Sequence, residues 1–149
     1  MWPAGACRRF EDGVEREGEG EDAVSNTSVI ILGASPQRWR FGNKAVRCYS
    51  DAGYRVYPVH LQAAEVEGIP VSRTIAEVPA RAELLLLYVR PEIGEECIAQ
   101  AEGRGVRRVY LNPGTSSAEL VRRIEALGME AIDACAIVAL GRSPSEFPD

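Results

Sequence analysis

The sequence predicts an α/β protein with a Rossmann-like, doubly wound parallel sheet of about five strands in three layers. Short apolar runs alternate along the chain with segments of helical periodicity, and the loops between them are short, as in folds built from repeated strand–helix units. The runs at 29–32 and 84–87 are also continuous rather than alternating, which is typical of parallel strands buried on both faces.

The first half of the predicted domain contains two strands joined by a helix. Its elements are, in order, a strand at 29–32, a helix at 40–52, a strand at 54–59, an extended piece at 68–71 and a brief helix at 74–78. Gly53 follows the last turn of the first helix and ends it. Thr74 is expected to cap the brief helix, which Pro79 stops.

The second half repeats the alternation. Its predicted elements are a strand at 83–89, a helix at 91–103, a strand at 106–111, a helix at 116–127, a strand at 129–132 and an apolar closing segment at 134–140. Pro91 suits the first turn of its helix, where a missing N–H costs nothing. Leu120 and Ile124 stand at core spacing in the helix that follows.

The charge of the chain is concentrated at its beginning. Of a net charge of -5 over 149 residues, residues 1–27 carry -4, from 7 acids and 3 bases. This stretch is rich in Glu and Gly, so we expect an acidic disordered tail at 1–27 before a single domain at 28–149. A nearly neutral domain has no basic face for nucleic acid, so we expect no nucleic-acid partner.

Composition also limits the cellular setting and the chemistry. No apolar run reaches the roughly 20 residues that span a bilayer, and the N-terminus lacks the apolar region of a signal peptide. We therefore expect a cytoplasmic protein with no membrane contact. The four cysteines are scattered and His60 is the single histidine, so we expect no metal site and interpret the cysteines as packed thiols.

The turn after the first strand predicts an anion site. Gly33, Ala34 and Ser35 let the backbone turn sharply and approach a ligand closely, and a helix begins shortly afterwards. The cations of this region are Arg38, Arg40, Lys44 and Arg47, and no Asp or Glu lies between Asp22 and Asp51. Free N–H groups at a helix end among unopposed cations favour the phosphates of a nucleotide.

The identity of the nucleotide stays open at this point between NADP and coenzyme A. NAD sites usually have three spaced glycines in this turn and an acid at the end of the second strand. Here Gly33 stands alone before Gly42, and the second strand ends in His60-Leu61-Gln62. A ligand with a phosphate on the adenosine ribose tolerates the missing carboxylate. A P-loop is excluded because its motif is absent.

Several motifs resemble those of CoA-binding domains. They are GAS at 33–35, KAVR at 44–47, GYRVYPV at 53–59, EVEGIPV at 65–71, NPGTSSAEL at 112–120 and DAC at 133–135. From about Ser28 to Leu140 the chain is similar to stand-alone CoA-binding domains and to the N-terminal domain of the succinyl-CoA synthetase alpha chain. The resemblance implies binding of coenzyme A or an acyl-CoA without a known reaction.

The candidate cofactor-binding residues follow from the turn and from the resemblance together. They are Gly33, Ala34, Ser35, Arg38, Lys44, His60, Arg90, Asn112 and Gly114. Arg38 and Lys44 are expected to contact phosphate, and His60 the adenosine end. The alternatives that stay open are a solvated helix face for Arg38 and Lys44, and a strand-end histidine with one satisfied bond for His60. For the other candidates they are a local turn bond for Ser35, carbonyl capping for Arg90, and turn formation as the main role of Asn112 and Gly114.

The functional prediction is a non-catalytic CoA or acyl-CoA binding protein whose partner is a small-molecule nucleotide. The sequence contains no Ser-His-acid set and no paired carboxylates on an obvious turn, so no catalytic residue is assigned. The alternative is a small NADP-dependent oxidoreductase or another nucleotide-using enzyme. The apolar closing segment leaves room for a homodimer.

Overall fold

The structure is a computed structural model that describes residues 27–149. Its centre is a five-stranded parallel sheet in the order β2-β1-β5-β6-β7. The strands of this sheet are β1 (Ser28–Leu32), β2 (Arg55–Val59), β5 (Leu84–Leu87), β6 (Arg108–Leu111) and β7 (Glu130–Ile132). The predicted fold class is therefore confirmed, while the predicted tail at 1–27 lies, except for Thr27, outside the described residues.

Helices cover both faces of the sheet. They are α1 (Phe41–Asp51), α2 (Pro91–Cys97), α3 (Ala99–Glu102), α4 (Ala118–Ala126) and α5 (Ala136–Ala139). The helix predicted at 91–103 consists of α2 and α3, because the N–H of Ala101 bonds the carbonyl of Ile98 in a tighter, 3₁₀-like turn. No helix within 27–149 is long and apolar enough to cross a membrane.

The segment between β2 and β5 contains a small β-hairpin and a short helical turn. Its strands are β3 (Glu65–Val66) and β4 (Ile69–Pro70), which pair antiparallel. A 3₁₀ turn follows at Ile75–Glu77, and the Thr74 hydroxyl accepts a hydrogen bond from the Glu77 N–H, so the predicted cap is confirmed.

The core divides into two layers because side chains alternate across each strand. Ile30 and Leu32 of β1 belong to the cluster beneath α2, α3 and α4, whereas Val29 and Ile31 pack toward α1 and α5. All four are buried, which explains why the sequence of β1 is continuously apolar.

The strand order reverses between β1 and β5. From β1 the chain moves outward to β2, then crosses back to β5 and continues in the other direction to β6 and β7. In open parallel sheets this reversal leaves a crevice at the carboxyl ends of the two central strands, since their connections run to opposite faces. The crevice therefore lies beside Gly33 and Tyr88.

Three backbone segments meet at Gly33, and none leaves space for a side chain. Its φ is +94°, and an added Cβ would lie 2.5 Å from the Tyr88 carbonyl oxygen at the end of β5. Gly42 in α1 has the same role from the other side, because its Cβ would lie 2.3 Å from the Gly33 oxygen. Glycine at both positions lets α1 begin directly over the end of β1.

Replacing Gly33 by alanine should lower the free energy of unfolding by about 3 kcal/mol, through backbone strain and the collision with Tyr88. Gly53 is the matched control, since its φ is +96° and nothing lies within 4 Å of its added Cβ. Gly53→Ala should cost only about 1 kcal/mol. Urea unfolding of both variants measures the difference, and equal losses would contradict the packing argument.

Candidate nucleotide-binding site

The loop between β1 and α1 is held in place by a few polar contacts. The Ser35 hydroxyl accepts a hydrogen bond from the Gln37 N–H at 3.0 Å, so the local turn bond considered for this residue is present. The Asn43 side-chain amide donates to the Ser35 carbonyl at 2.8 Å. Asn43 is fully buried. The loop is therefore fixed to the first turn of α1.

The N-terminus of α1 lies at this loop and has the features of an anion site. The helix is 11 residues long, its cap residue Arg40 forms no side-chain capping bond, and its first turn holds no acid. The first N–H groups and the helix dipole thus place partial positive charge at the loop. The Arg40 guanidinium stacks on the Trp39 ring, 4.5 Å from its centroid.

A cavity of about 660 Å³ opens at the carboxyl ends of β1 and β2 and is bordered by Val89, which follows β5. The mainly polar part of its wall comes from three loops: Gly33, Ser35, Pro36, Gln37, Arg40, His60, Leu61, Gln62, Arg73 and Thr74. The apolar part of its wall consists of Leu32, Val59, Ile75, Val89, Ile93 and Cys97. A cavity of this size with polar and apolar lining suits an elongated ligand with a charged part and an uncharged part.

The cations near the loop are opposed in space, contrary to the expectation from the sequence. Arg38 donates to the Glu67 carboxylate at 3.2 Å, and the same carboxylate accepts from Asn43 at 3.0 Å. Glu67 lies 29 residues after Arg38, beyond the acid-free stretch. The prediction of unopposed cations, made from the absence of nearby acids in the sequence, is therefore wrong for Arg38.

Lys44 and Arg47 contact the last residues of the chain. The Lys44 ammonium donates to the Phe147 carbonyl at 2.5 Å and lies 3.5 Å from an Asp149 carboxylate oxygen. The Arg47 guanidinium donates to the carbonyls of Phe147 and Pro148. Burial and the neighbouring Arg38 lower the pKa of Arg47. The phosphate contact of Lys44 stays a prediction, and the cavity is formed without it.

His60 lies at the end of β2 with its ring partly engaged. Its Nδ1 accepts hydrogen bonds from the N–H groups of Gln62 and Ala63, both at 3.0 Å. The proton of the neutral ring is therefore on Nε2. Arg73 donates to the carbonyls of Gln62 and Ala63 and supports the same loop. Arg73 was not predicted as a lining residue, because it lies far along the chain from the turn at Gly33–Ser35.

Cys97 is a second lining residue that was not among the sequence-predicted candidates. It stands on α2 and packs partly against the core, as the interpretation of the cysteines as packed thiols predicts. The structure leaves it partly exposed toward the cavity. Burial, with the Glu96 carboxylate as a smaller effect, raises the pKa of the Cys97 thiol, so the protonated form is favoured.

Four further candidate residues lie outside the cavity wall. Ala34 packs into the core, and Arg90 is exposed at the start of α2. Asn112 and Gly114 form a turn in which the Thr115 N–H donates to the Asn112 carbonyl. The Asn112 side chain joins the Leu87 carbonyl to the N–H of Ala136. The ligand contacts of these residues stay predictions.

The fold and the site together define a Rossmann-like ligand-binding protein with its cavity at the switch point of the sheet. A family model described as a CoA binding domain matches residues 27–141. The chain therefore belongs to the CoA binding domain family, as the resemblance in its motifs implied.

One curated relative is the alpha subunit of an ADP-forming acetate–CoA ligase II from Pyrococcus furiosus. It is 23% identical over 84 residues, which are 56% of this chain but 18% of the ligase subunit. The chain thus matches less than a fifth of the length of that relative.

Solved structures share the fold. A conserved hypothetical protein from Pyrococcus furiosus aligns with a TM-score of 0.70 and 26% identity, over 76% of this chain and 98% of its own. The dinucleotide-forming acetyl-coenzyme A synthetase 1 of Ca. Korarchaeum cryptofilum aligns with a TM-score of 0.65 and 22% identity. That alignment covers 72% of this chain and 25% of the synthetase.

Replacing Asn43 by leucine, which has a similar shape, should lower the free energy of unfolding by about 1–3 kcal/mol, because the Ser35 carbonyl loses its donor in a buried position. Gln62→Leu is the control, since Gln62 is an exposed amide. Thermal and urea unfolding measure both. A loss no larger than that of Gln62→Leu would contradict the proposed anchoring of the loop.

Proposed function

We propose that the cavity binds coenzyme A or an acyl-CoA, with the diphosphate at the turn Gly33–Ser35 and the N-terminus of α1. The observation that carries this proposal is the position of the cavity. The cavity lies at the switch point of the sheet, in a chain that belongs to the CoA binding domain family, and it is bounded by that turn and by Arg40. The N–H groups of Ala34 and Ser35 are proposed as donors to the diphosphate.

The charge of the lining favours a phosphate-rich ligand. Among the described residues that line the cavity, Arg40 and Arg73 are cationic and none is Asp or Glu. An acid near the end of β2 would be expected for the free ribose hydroxyls of NAD. His60 occupies that place and has its Nε2–H available as a donor. A 3′-phosphoadenosine group is compatible with this wall.

The apolar part of the wall supports the same assignment. Ile75, Val89 and Ile93 offer a surface without charge. An adenine ring or a pantetheine arm can cover such a wall without leaving a charge unpaired. We therefore assign the uncharged parts of the ligand to this wall, and His60 to the adenosine end.

A binding role is favoured over catalysis by the titratable groups of the lining. The Nδ1 of His60 is occupied by two backbone N–H groups, and the Cys97 thiol is held in its protonated form. These two groups do not form a nucleophile–base pair of the kind that covalent catalysis needs. The ligase activity named for the curated relative belongs to a protein of which this chain matches a small part.

Calorimetric titration of the full chain tests the proposal. We expect CoA, which has a 3′-phosphate on its ribose, to bind more tightly than NADP, whose ribose phosphate is at the 2′ position. NAD has no ribose phosphate and should bind least tightly. Arg40→Gln should weaken CoA by about tenfold through loss of a charged donor at the diphosphate. Arg108→Gln is the control, because Arg108 stands at the amino end of β6, whereas the cavity lies at the carboxyl ends of the strands.

Other outcomes of the same titration assign the alternatives. Tight binding of NAD with no binding of CoA would contradict the proposal, and tight binding of NADP alone would favour a reductase. A loss of CoA binding in Lys44→Met, with the fold retained, would support the phosphate contact that the sequence predicts for Lys44.

Alkylation of Cys97 gives an independent test of the cavity. The thiol should react slowly at neutral pH and faster as the pH rises through its raised pKa, because the thiolate is the reactive form. Acetyl-CoA, whose thiol is blocked and does not consume the reagent, should slow the reaction by about tenfold at about ten times its Kd, since Cys97 reacts only in the free protein. Peptide mass spectrometry separates Cys97 from Cys135, which packs on the other face of the sheet.

The two cysteines should respond differently. Cys135 should keep its rate when acetyl-CoA is added, because it lies outside the cavity. Equal protection of both thiols would indicate a general stabilisation of the fold by the ligand. No protection of Cys97 at saturating acetyl-CoA would place the ligand elsewhere.

A further inference from the structure

Glu67 adopts an unusual backbone conformation at the tip of the β3–β4 hairpin. Its φ is +51°, and it is the only non-glycine residue of the described range 27–149 with a positive φ. Gly68 completes the turn with a φ of +79°. Glu67 and Gly68 are the two central residues between the paired strands, and positive φ at both is the pattern of a type I′ hairpin turn. The turn places the Glu67 side chain at the tip of the hairpin.

One oxygen of the Glu67 carboxylate bonds the loop between β1 and α1, and the other bonds the first turn of α1. Oε1 accepts from Arg38 at 3.2 Å, and Oε2 accepts from Asn43 at 3.0 Å. Asn43 is itself immobilised, because its amide also donates to the Ser35 carbonyl and its oxygen accepts from Arg47. The carboxylate therefore has a fixed position, and the Arg38 guanidinium is held beside it.

Arg38 is the more exposed member of this pair. Its side chain is 51% exposed, against 23% for Glu67. It lies between Gln37 and Arg40, which both line the cavity. Rotation about its side-chain bonds can move the guanidinium from Glu67 toward the mouth of the cavity without a change in the backbone.

We propose that Glu67 competes with a phosphate of the ligand for Arg38 and so sets the preference of the site for a ligand with a ribose phosphate. The proposal rests on the proposed function and concerns its specificity. A carboxylate and a phosphate monoester accept the same paired N–H donors of a guanidinium, and the phosphate carries the larger charge. A ligand with a phosphorylated ribose must first break the Glu67–Arg38 pair. The cost of breaking it reduces the binding free energy that the ribose phosphate contributes.

A purely structural role for Glu67 makes a different prediction. If the pair only anchored the hairpin, removing its charge would change CoA and dephospho-CoA binding equally. Under the proposal the change is selective, because only CoA has the 3′-phosphate that takes Arg38. The ratio of the two dissociation constants is therefore the quantity that separates the roles.

The test compares the full chain with Glu67→Gln by calorimetry, using CoA and dephospho-CoA as probes. Glutamine keeps an oxygen for Asn43 while the charge is removed. The preference for CoA should rise by about two- to fivefold, the range expected for releasing an exposed ion pair. Glu65→Gln is the matched control, since it removes the same charge from an exposed position on the same hairpin and should leave the ratio unchanged.

Two further variants complete the design. Arg38→Gln combined with Glu67→Gln should give the same ratio as Arg38→Gln alone, because Arg38 transmits the effect. Glu67→Gly removes the carboxylate at a position where glycine is favoured by the positive φ, so it keeps the fold if Glu67→Gln does not. It should raise the ratio in the same direction.

The outcomes distinguish the two levels of inference. Normal CoA binding with the same ratio in Glu67→Gln and Glu65→Gln would overturn the competition and leave the proposed function intact. Absence of binding of both probes to the unmodified chain would overturn the proposed function and the competition with it. A rise of the ratio that persists without Arg38 would assign the effect to the general field of the hairpin and overturn the role of Arg38.

Discussion

The close contact of three backbones at Gly33 is the constraint on which the site depends. The end of β1, the Tyr88 carbonyl after β5 and the first turn of α1 approach each other so closely that no Cβ fits at Gly33 or at Gly42. Because α1 begins directly over the sheet, its N-terminal N–H groups reach the crevice at the strand ends. A longer separation would leave that partial charge away from any ligand in the crevice.

The cationic side chains near the site are bonded to oxygen atoms of the protein itself. Arg38 bonds the carboxylate of Glu67, and Lys44 bonds a carbonyl near the end of the chain. The two cations of the described cavity wall, Arg40 and Arg73, also have oxygen partners, and these are uncharged side-chain and backbone oxygens. Ligand binding at such a site is an exchange of partners as much as a simple attraction, since some guanidinium groups already have an oxygen partner.

Membership of the CoA binding domain family and the cavity support the same class of ligand for different reasons. Family membership is recognised from the pattern of residues along the chain. The cavity is formed by the loops that the sheet brings together at the carboxyl ends of its strands. Its size, its polarity and the absence of acids among its described lining residues indicate the class of ligand. Neither observation identifies a reaction, which is why the proposal concerns binding and why its tests measure affinity and protection.

The sequence by itself determined the elements whose signals are local. The strands at 29–32 and 84–87 are continuous apolar runs, and the cap at Thr74 and the helix start at Pro91 depend on the residues beside them, so all four agree with the structure. Burial on both faces needs apolar side chains at every position, and this requirement is visible without knowing the partners of a strand.

Only the tertiary structure decided the electrostatics and the composition of the cavity. The pair of Arg38 with Glu67 joins residues 29 apart, and Lys44 meets Phe147 at a separation of 103. Cys97, interpreted from the sequence only as a packed thiol, packs partly against the core and also borders the cavity. Charge and lining are properties of neighbours in space, and a parallel sheet brings loops together whatever the length of chain between them.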